Sequence, residues 1–119
     1  MEKILLVEDS KNVIRVLKLL LKQAGYDLKI VENGVDAVET AFSWQPDIIL
    51  LDIKLPKMNG FLVLETLQDD EKTTNIPVLV LSAKAEEEDI QKANQLGATE
   101  YITKPVDPDK LLGIIKKYL

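Results

Sequence analysis

The aliphatic residues of this chain fall into short unbroken runs separated by mixed segments. Ile4-Leu5-Leu6-Val7, Ile48-Ile49-Leu50-Leu51 and Val78-Leu79-Val80-Leu81 are the clearest, and Tyr101-Ile102-Thr103 is a weaker fourth. Runs that do not alternate with polar residues suit strands buried on both faces, as in a parallel sheet. Leu28-Lys29-Ile30-Val31 is more mixed and predicts an edge strand. Between the runs the apolar positions take a helical spacing. Val13, Leu17, Leu20 and Ala24 share one face, Ala37, Ala41 and Phe42 another, and Leu111, Leu112, Ile115 and Leu119 a third. Gly25 and Gly97 fall where helices should stop, and Pro46, Pro77 and Pro105 interrupt helix between elements. The pattern predicts five strands and five helices, with no repeat, linker or low-complexity tract.

Strictly alternating strands and helices with short connections require right-handed crossovers. The expected fold class is therefore α/β, a doubly wound five-stranded parallel sheet with helices on both faces. A length of 119 residues suits one domain, taken as 1–119. In such a sheet the ligand site lies beyond the carboxyl ends of the strands, where the winding direction reverses. Glu8 and Asp9 follow the first strand, Asp52 the third, Ser82 the fourth and Lys104 the fifth. With strand order 2-1-3-4-5 these three carboxylates, one hydroxyl and one ammonium converge.

Composition narrows what that cluster can do. Fifteen Lys and Arg stand against 20 Asp and Glu, a net charge of −5, so no general basic field is present to hold nucleic acid or an anionic membrane. With no Cys and no His, disulfides, thiolate chemistry, imidazole bases and the commonest metal ligands are excluded. Four aliphatic residues before Glu8 are too few for a signal peptide, and no apolar run approaches the ~20 residues of a membrane span, so a cytoplasmic location is expected.

Carboxylate, hydroxyl and lysine chemistry is what remains. Two carboxylates about 4 Å apart repel by about 4 kcal/mol at an effective dielectric of about 20, so three in one pocket call for protonation or a counter-cation. An all-oxygen donor set favours Mg²⁺, which keeps several waters and takes one or two carboxylates plus a phosphoryl oxygen. Carboxylates also serve as nucleophiles that form aspartyl-phosphates. Asp52 is the best placed of the three, ending a buried run and followed by Lys54-Leu55-Pro56-Lys57-Met58-Asn59-Gly60, whose Pro and Gly fix a turn beside it. Lys104 and the Ser82 hydroxyl would each pair with a phosphoryl oxygen while the metal holds the third.

These residues resemble the receiver domain of two-component response regulators, a flavodoxin-like fold of the bacterial chemotaxis regulator type. The resemblance spans essentially the whole chain. It rests on Ile4-Leu5-Leu6-Val7-Glu8-Asp9-Ser10, on Pro46-Asp47 leading to Leu51-Asp52 with Pro56 and Gly60, on Leu81-Ser82-Ala83, and on Gly97-Ala98 leading to Tyr101-Ile102-Thr103-Lys104-Pro105. It implies that Asp52 accepts phosphate from a sensor histidine kinase or a histidine phosphotransfer protein. It implies Mg²⁺, for which Mn²⁺ can substitute, on Asp9, Asp52 and the Lys54 backbone carbonyl, with Glu8 contacting it through water. Ser82 and Tyr101 would form a switch pair, Tyr101 passing from exposed to buried. Lys104-Pro105 would be a cis peptide, and the face of the fourth helix, fifth strand and fifth helix would change its partner binding.

The departures from the family pattern are Ser82 where Thr is common, Val106 where Phe often follows Lys-Pro, and Ile53 in place of a Trp after the acceptor. Two positions bear on the lifetime of the phosphorylated state: Lys54 and Lys84, two past the acceptor and two past the switch hydroxyl, are both long cations that would obstruct an attacking water. Self-phosphorylation and slow self-dephosphorylation are expected rather than turnover. A phosphatase of the haloacid dehalogenase type would need a second Asp at position 54, and a flavin-binding reading would need a Gly-rich phosphate loop where Glu8 and Asp9 stand. The expected output is a downstream protein target, or an output domain absent from this sequence, with no direct binding to nucleic acid or membrane.

Overall fold

The computed structural model describes residues 1–83 and 86–119. Strands β1 (Lys3–Val7), β2 (Asp27–Val31), β3 (Ile48–Leu51), β4 (Val78–Ser82) and β5 (Glu100–Thr103) alternate with helices α1 (Lys11–Gln23), α2 (Gly34–Trp44), α3 (Gly60–Gln68), α4 (Glu87–Gln95) and α5 (Pro108–Tyr118). The strands form one sheet in the order β2-β1-β3-β4-β5, and every pairing is parallel. The fold class and strand order expected from the sequence are those observed.

The unbroken aliphatic runs have their physical explanation in the two faces of this sheet. Along each central strand alternate residues point to opposite sides. Leu5, Val7, Ile49, Leu51, Val78 and Val80 pack with α2, α3 and α4 through Ala37, Ala41, Val63, Leu64, Leu67 and Ala93. Ile4, Leu6, Ile48, Leu50, Leu79 and Leu81 pack with α1 and α5 through Leu17, Leu21, Leu111 and Ile115. Burying one such side chain contributes about 1.5–3 kcal/mol, so the two layers together hold the sheet rigid beneath its carboxyl edge. The mixed run forms edge strand β2, and the weak run forms the opposite edge, β5.

Helix entry is set by polar caps. The side chains of Ser10, Asn33, Asn59 and Asp107 accept hydrogen bonds from backbone N–H groups in the first turns of α1, α2, α3 and α5. The expected stops at Gly25 and Gly97 are present, both with positive φ. Val13, Leu17 and Leu20 of the α1 stripe read in the sequence pack in the core. Leu21 is fully buried and Ala24 is exposed at the helix end, because aliphatic residues run almost all the way round this helix.

Candidate functional site

At the carboxyl edge the ladders extend one residue past the strands and fix three side chains. Glu8 N donates to Val31 O at 3.0 Å, Asp52 N to Val7 O at 3.0 Å, and Lys104 N to Ser82 O at 2.9 Å. These bonds aim Glu8, Asp52 and Lys104 into one pocket from β1, β3 and β5. Carboxylate oxygens of Glu8, Asp9 and Asp52 lie within 4.8 Å of one another, with Glu8 and Asp52 buried and Asp9 exposed.

The pocket is organised by a lysine. Lys104 Nζ donates to Glu8 Oε1 at 2.6 Å and to Asp52 Oδ2 at 3.2 Å. Glu8 Oε2 accepts from the backbone N–H groups of Asp9 and Ser10, at 3.1 and 3.0 Å, so this carboxylate also anchors the entry to α1. Asp52 Oδ1 accepts from Lys54 N at 3.2 Å, which folds the following loop back over the Asp52 carboxylate. Burial pushes the Glu8 carboxyl up from its ordinary value, against the lowering effect of its bond with Lys104. Burial pulls the Lys104 ammonium down, but its hydrogen bond to Glu8 and the charge of Asp52 outweigh it and leave the pKa raised. One ammonium among three carboxylates leaves the pocket with excess negative charge. Its all-oxygen donors, two of them buried, fit a hard divalent cation such as Mg²⁺.

The loop after Asp52 is shaped by a close approach. A Cβ on Gly60 would stand 2.5 Å from Ile53 Cα and 2.7 Å from Asp52 O, and Gly60 N donates to Ile53 O at 2.8 Å. Only glycine lets α3 begin directly against the Asp52–Ile53 backbone. The Lys104–Pro105 peptide is cis, as the resemblance implies.

Ser82 is buried at the end of β4. Tyr101 is half-buried rather than exposed, and its side chain is hydrogen-bonded with Ser82. The two residues of the expected switch pair are therefore already in contact in this structure. Burial, the first cause, holds the Tyr101 hydroxyl's pKa up, and the charges of Asp89 and Asp52 add to it. Lys54 is exposed, lining an open cavity with Ile53, Leu55, Asn59, Phe61, Asp89 and Lys92. Lys84 lies outside the described residues. Two features escaped the sequence reading: the Lys104 bridge from Asp52 to Glu8, which no spacing could reveal, and the packing of Gly34 against Met58 in the loop after Asp52, for which a glycine at a helix start is the sole and ambiguous sign.

A doubly wound sheet of order 2-1-3-4-5 carrying an acidic pocket and a lysine at its carboxyl edge defines the class, a receiver of the chemotaxis-regulator type. The family model for the response regulator receiver domain matches residues 4–116, and the chain belongs to this family of two-component signalling proteins. Protein PilH of Pseudomonas aeruginosa is 38% identical over 119 residues, all of this chain and 98% of PilH. The DNA-binding dual master transcriptional regulator RpaA of Synechocystis sp. is 36% identical over 119 residues, and this chain spans 49% of its length. The receiver domain of sensor histidine kinase PA1611 from Pseudomonas aeruginosa superposes with a TM-score of 0.92 at 30% identity, covering 98% of this chain and 96% of that one. Its crystal structure has a magnesium ion coordinated in the active-site cleft. Members of the family are signalling switches rather than classical enzymes. Among the described residues no helix is long and apolar enough to cross a membrane.

Proposed function

We propose that residues 1–119 act as a phosphorylation-dependent switch in the cytoplasm, with Asp52 as the phosphoryl acceptor. The observation that carries this reading is the setting of Asp52: a carboxylate with only 9% of its side chain accessible, 3.2 Å from the Lys104 ammonium and within 4.8 Å of the Glu8 and Asp9 carboxylates. The donor is a phosphohistidine on a sensor kinase or a phosphotransfer protein. An Asp52 oxygen forms the new P–O bond as the P–N bond breaks, and the imidazole nitrogen leaves with the electron pair. Lys104 is placed to hold one phosphoryl oxygen, and the Ser82 hydroxyl, at the end of the neighbouring strand, to hold another.

Asp9, Asp52 and the Lys54 backbone carbonyl would hold Mg²⁺, or Mn²⁺ in its place, with Glu8 acting through water. When bound, the ion supplies positive charge against the phosphoryl oxygens in a pocket that is otherwise too acidic to receive them. The presence of magnesium in the cleft of the PA1611 receiver supports this assignment.

The switch follows from the Ser82–Tyr101 contact. Capture of Ser82 by the phosphoryl group breaks that hydrogen bond and draws Tyr101 further inward, remodelling the α4-β5-α5 face that a downstream protein or an output domain reads. One new charge-assisted hydrogen bond contributes about 1.5–3 kcal/mol, enough to shift a nearly balanced equilibrium roughly ten- to a hundredfold. Amide shift mapping with beryllofluoride as the phosphoryl mimic tests this. Changes are expected at Ser82 and through α4 and β5. Shifts confined to the neighbours of Asp52 would contradict a switch.

A further inference from the structure

Gly34, the first residue of α2, sits against the loop that follows Asp52. Gly34 is buried, and its N–H faces Pro56 O at 3.5 Å. An ideal Cβ built on it would lie 2.1 Å from Met58 O, 2.6 Å from Met58 Cβ and 2.8 Å from Met58 C. The nearest of these atoms is backbone, which cannot swing aside as a side-chain tip can. Restoring ordinary contact would open the loop by roughly 1 Å. The loop has little freedom to absorb that movement. Met58 N donates to Pro56 O at 2.8 Å, Gly60 N to Ile53 O at 2.8 Å, and Lys57 is held at φ 67, a left-handed conformation that a lysine rarely adopts. On the far side, Asn33 fixes the start of α2 through its bonds to the Asp36 N–H and carboxylate, both at 2.9 Å.

We propose that Gly34 is a positioning residue of the phosphorylation site: by letting α2 begin in contact with the Pro56–Met58 backbone, it presses the loop inward and sets the depth of the Lys54 carbonyl. The proposal rests on the Mg²⁺ site assigned above, since that carbonyl is the loop's contribution to it. Gly34 touches neither metal nor phosphoryl group and acts through Met58. A loop displaced by about 1 Å carries the carbonyl away from the Asp9 and Asp52 oxygens, and Mg²⁺, which demands near-ideal octahedral geometry, tolerates such a displacement poorly.

The test compares Mg²⁺ affinity by calorimetry in wild type, Gly34→Ala and Ala41→Gly, with circular dichroism and thermal melts on each. Ala41→Gly weakens the same helix without adding bulk at the loop. Expected is a tenfold or greater loss of Mg²⁺ affinity in the folded Gly34→Ala chain, and wild-type affinity in Ala41→Gly despite its lower melting temperature. Equal affinity in Gly34→Ala and wild type would overturn the positioning role, as would an equal loss in Ala41→Gly. A wild type that binds no Mg²⁺ would bring down the metal assignment and this inference with it. Should Gly34→Ala fail to fold, amide exchange on wild type decides. Mg²⁺ should slow exchange at Gly34, Met58 and Gly60 but not at Gly25, at the opposite end of the sheet, and unchanged exchange at Gly34 under saturating Mg²⁺ would overturn the proposal.

Discussion

Lys104 is the residue that ties the acidic pocket together. Its side chain is only 17% accessible, and its pKa is raised because the Glu8 bond and the Asp52 charge outweigh the effect of burial. The three tyrosines of the chain point the same way in pH. Tyr26 and Tyr101 are raised chiefly by burial, and Tyr118 chiefly by its hydrogen bond to Glu100, at 2.5 Å. A group whose folded pKa lies above its unfolded value contributes stability that is whole below the unfolded value and is lost as pH climbs through the folded one. The ordinary values here are 10.0 for tyrosine and 10.5 for lysine. Thermal stability is therefore expected to fall steeply above about pH 10, with tyrosinate absorbance rising later than in a denatured control. Tyrosinate forming at or before the control's pH would contradict these shifts. Lys54 makes a different statement. Long and exposed beside the acceptor, it has no acceptor atom with which to orient a water and has a stem that can fill the water's path. Lys54→Asn is expected to shorten the lifetime of phospho-Asp52 several-fold, measured as phosphate release after donor removal, and an unchanged or longer lifetime would refute the obstruction.

At the scale of elements, α1 stands apart from the rest of an acidic molecule. It carries Lys11, Arg15, Lys18 and Lys22 with no acidic residue, and exposes Val16 at 58% and Leu19 at 62%. A groove lined by Val13, Val16, Leu17, Lys104, Pro105 and Val106 runs from this helix to the edge of the pocket. On the proposed function, an apolar pair on a helix that bears four cations suits a phosphodonor with an acidic rim, steered by charge and seated by the aliphatic residues. Val16→Glu combined with Leu19→Glu is expected to slow transfer from a phosphorylated histidine kinase about tenfold or more while leaving modification by acetyl phosphate unchanged, both read by phosphoprotein gel. Equal slowing with both donors would show damage to the pocket instead. The same helix marks the limit of what the sequence discloses. Its aliphatic residues at 13, 14, 16, 17, 19, 20 and 21 are too continuous for spacing alone to tell the buried Leu17 and Leu21 from the exposed Val16 and Leu19. The central strands β1, β3 and β4 were legible because their neighbours on both faces demand apolar residues at nearly every position. The acid pocket was legible because strand order alone brings Glu8, Asp9 and Asp52 to one edge. The Gly34 contact was not, because it joins the start of α2 to a loop 24 residues on through a backbone atom, with a lone glycine as its one sign.

For the whole molecule, two apolar layers hold five parallel strands so that groups from β1, β3 and β5 meet within hydrogen-bonding distance. On the proposed function, the same rigidity leaves the Ser82–Tyr101 contact and the α4-β5-α5 face as the outlet for a change in charge at Asp52. All of this turns on one covalent event. Intact-mass spectrometry of wild type and Asp52→Ala, each treated with acetyl phosphate with and without Mg²⁺, measures it directly. Expected is a single added phosphoryl group on wild type with Mg²⁺, little without the ion, and none on Asp52→Ala. Equal modification of Asp52→Ala, or none on wild type with Mg²⁺ present, would contradict Asp52 as the acceptor.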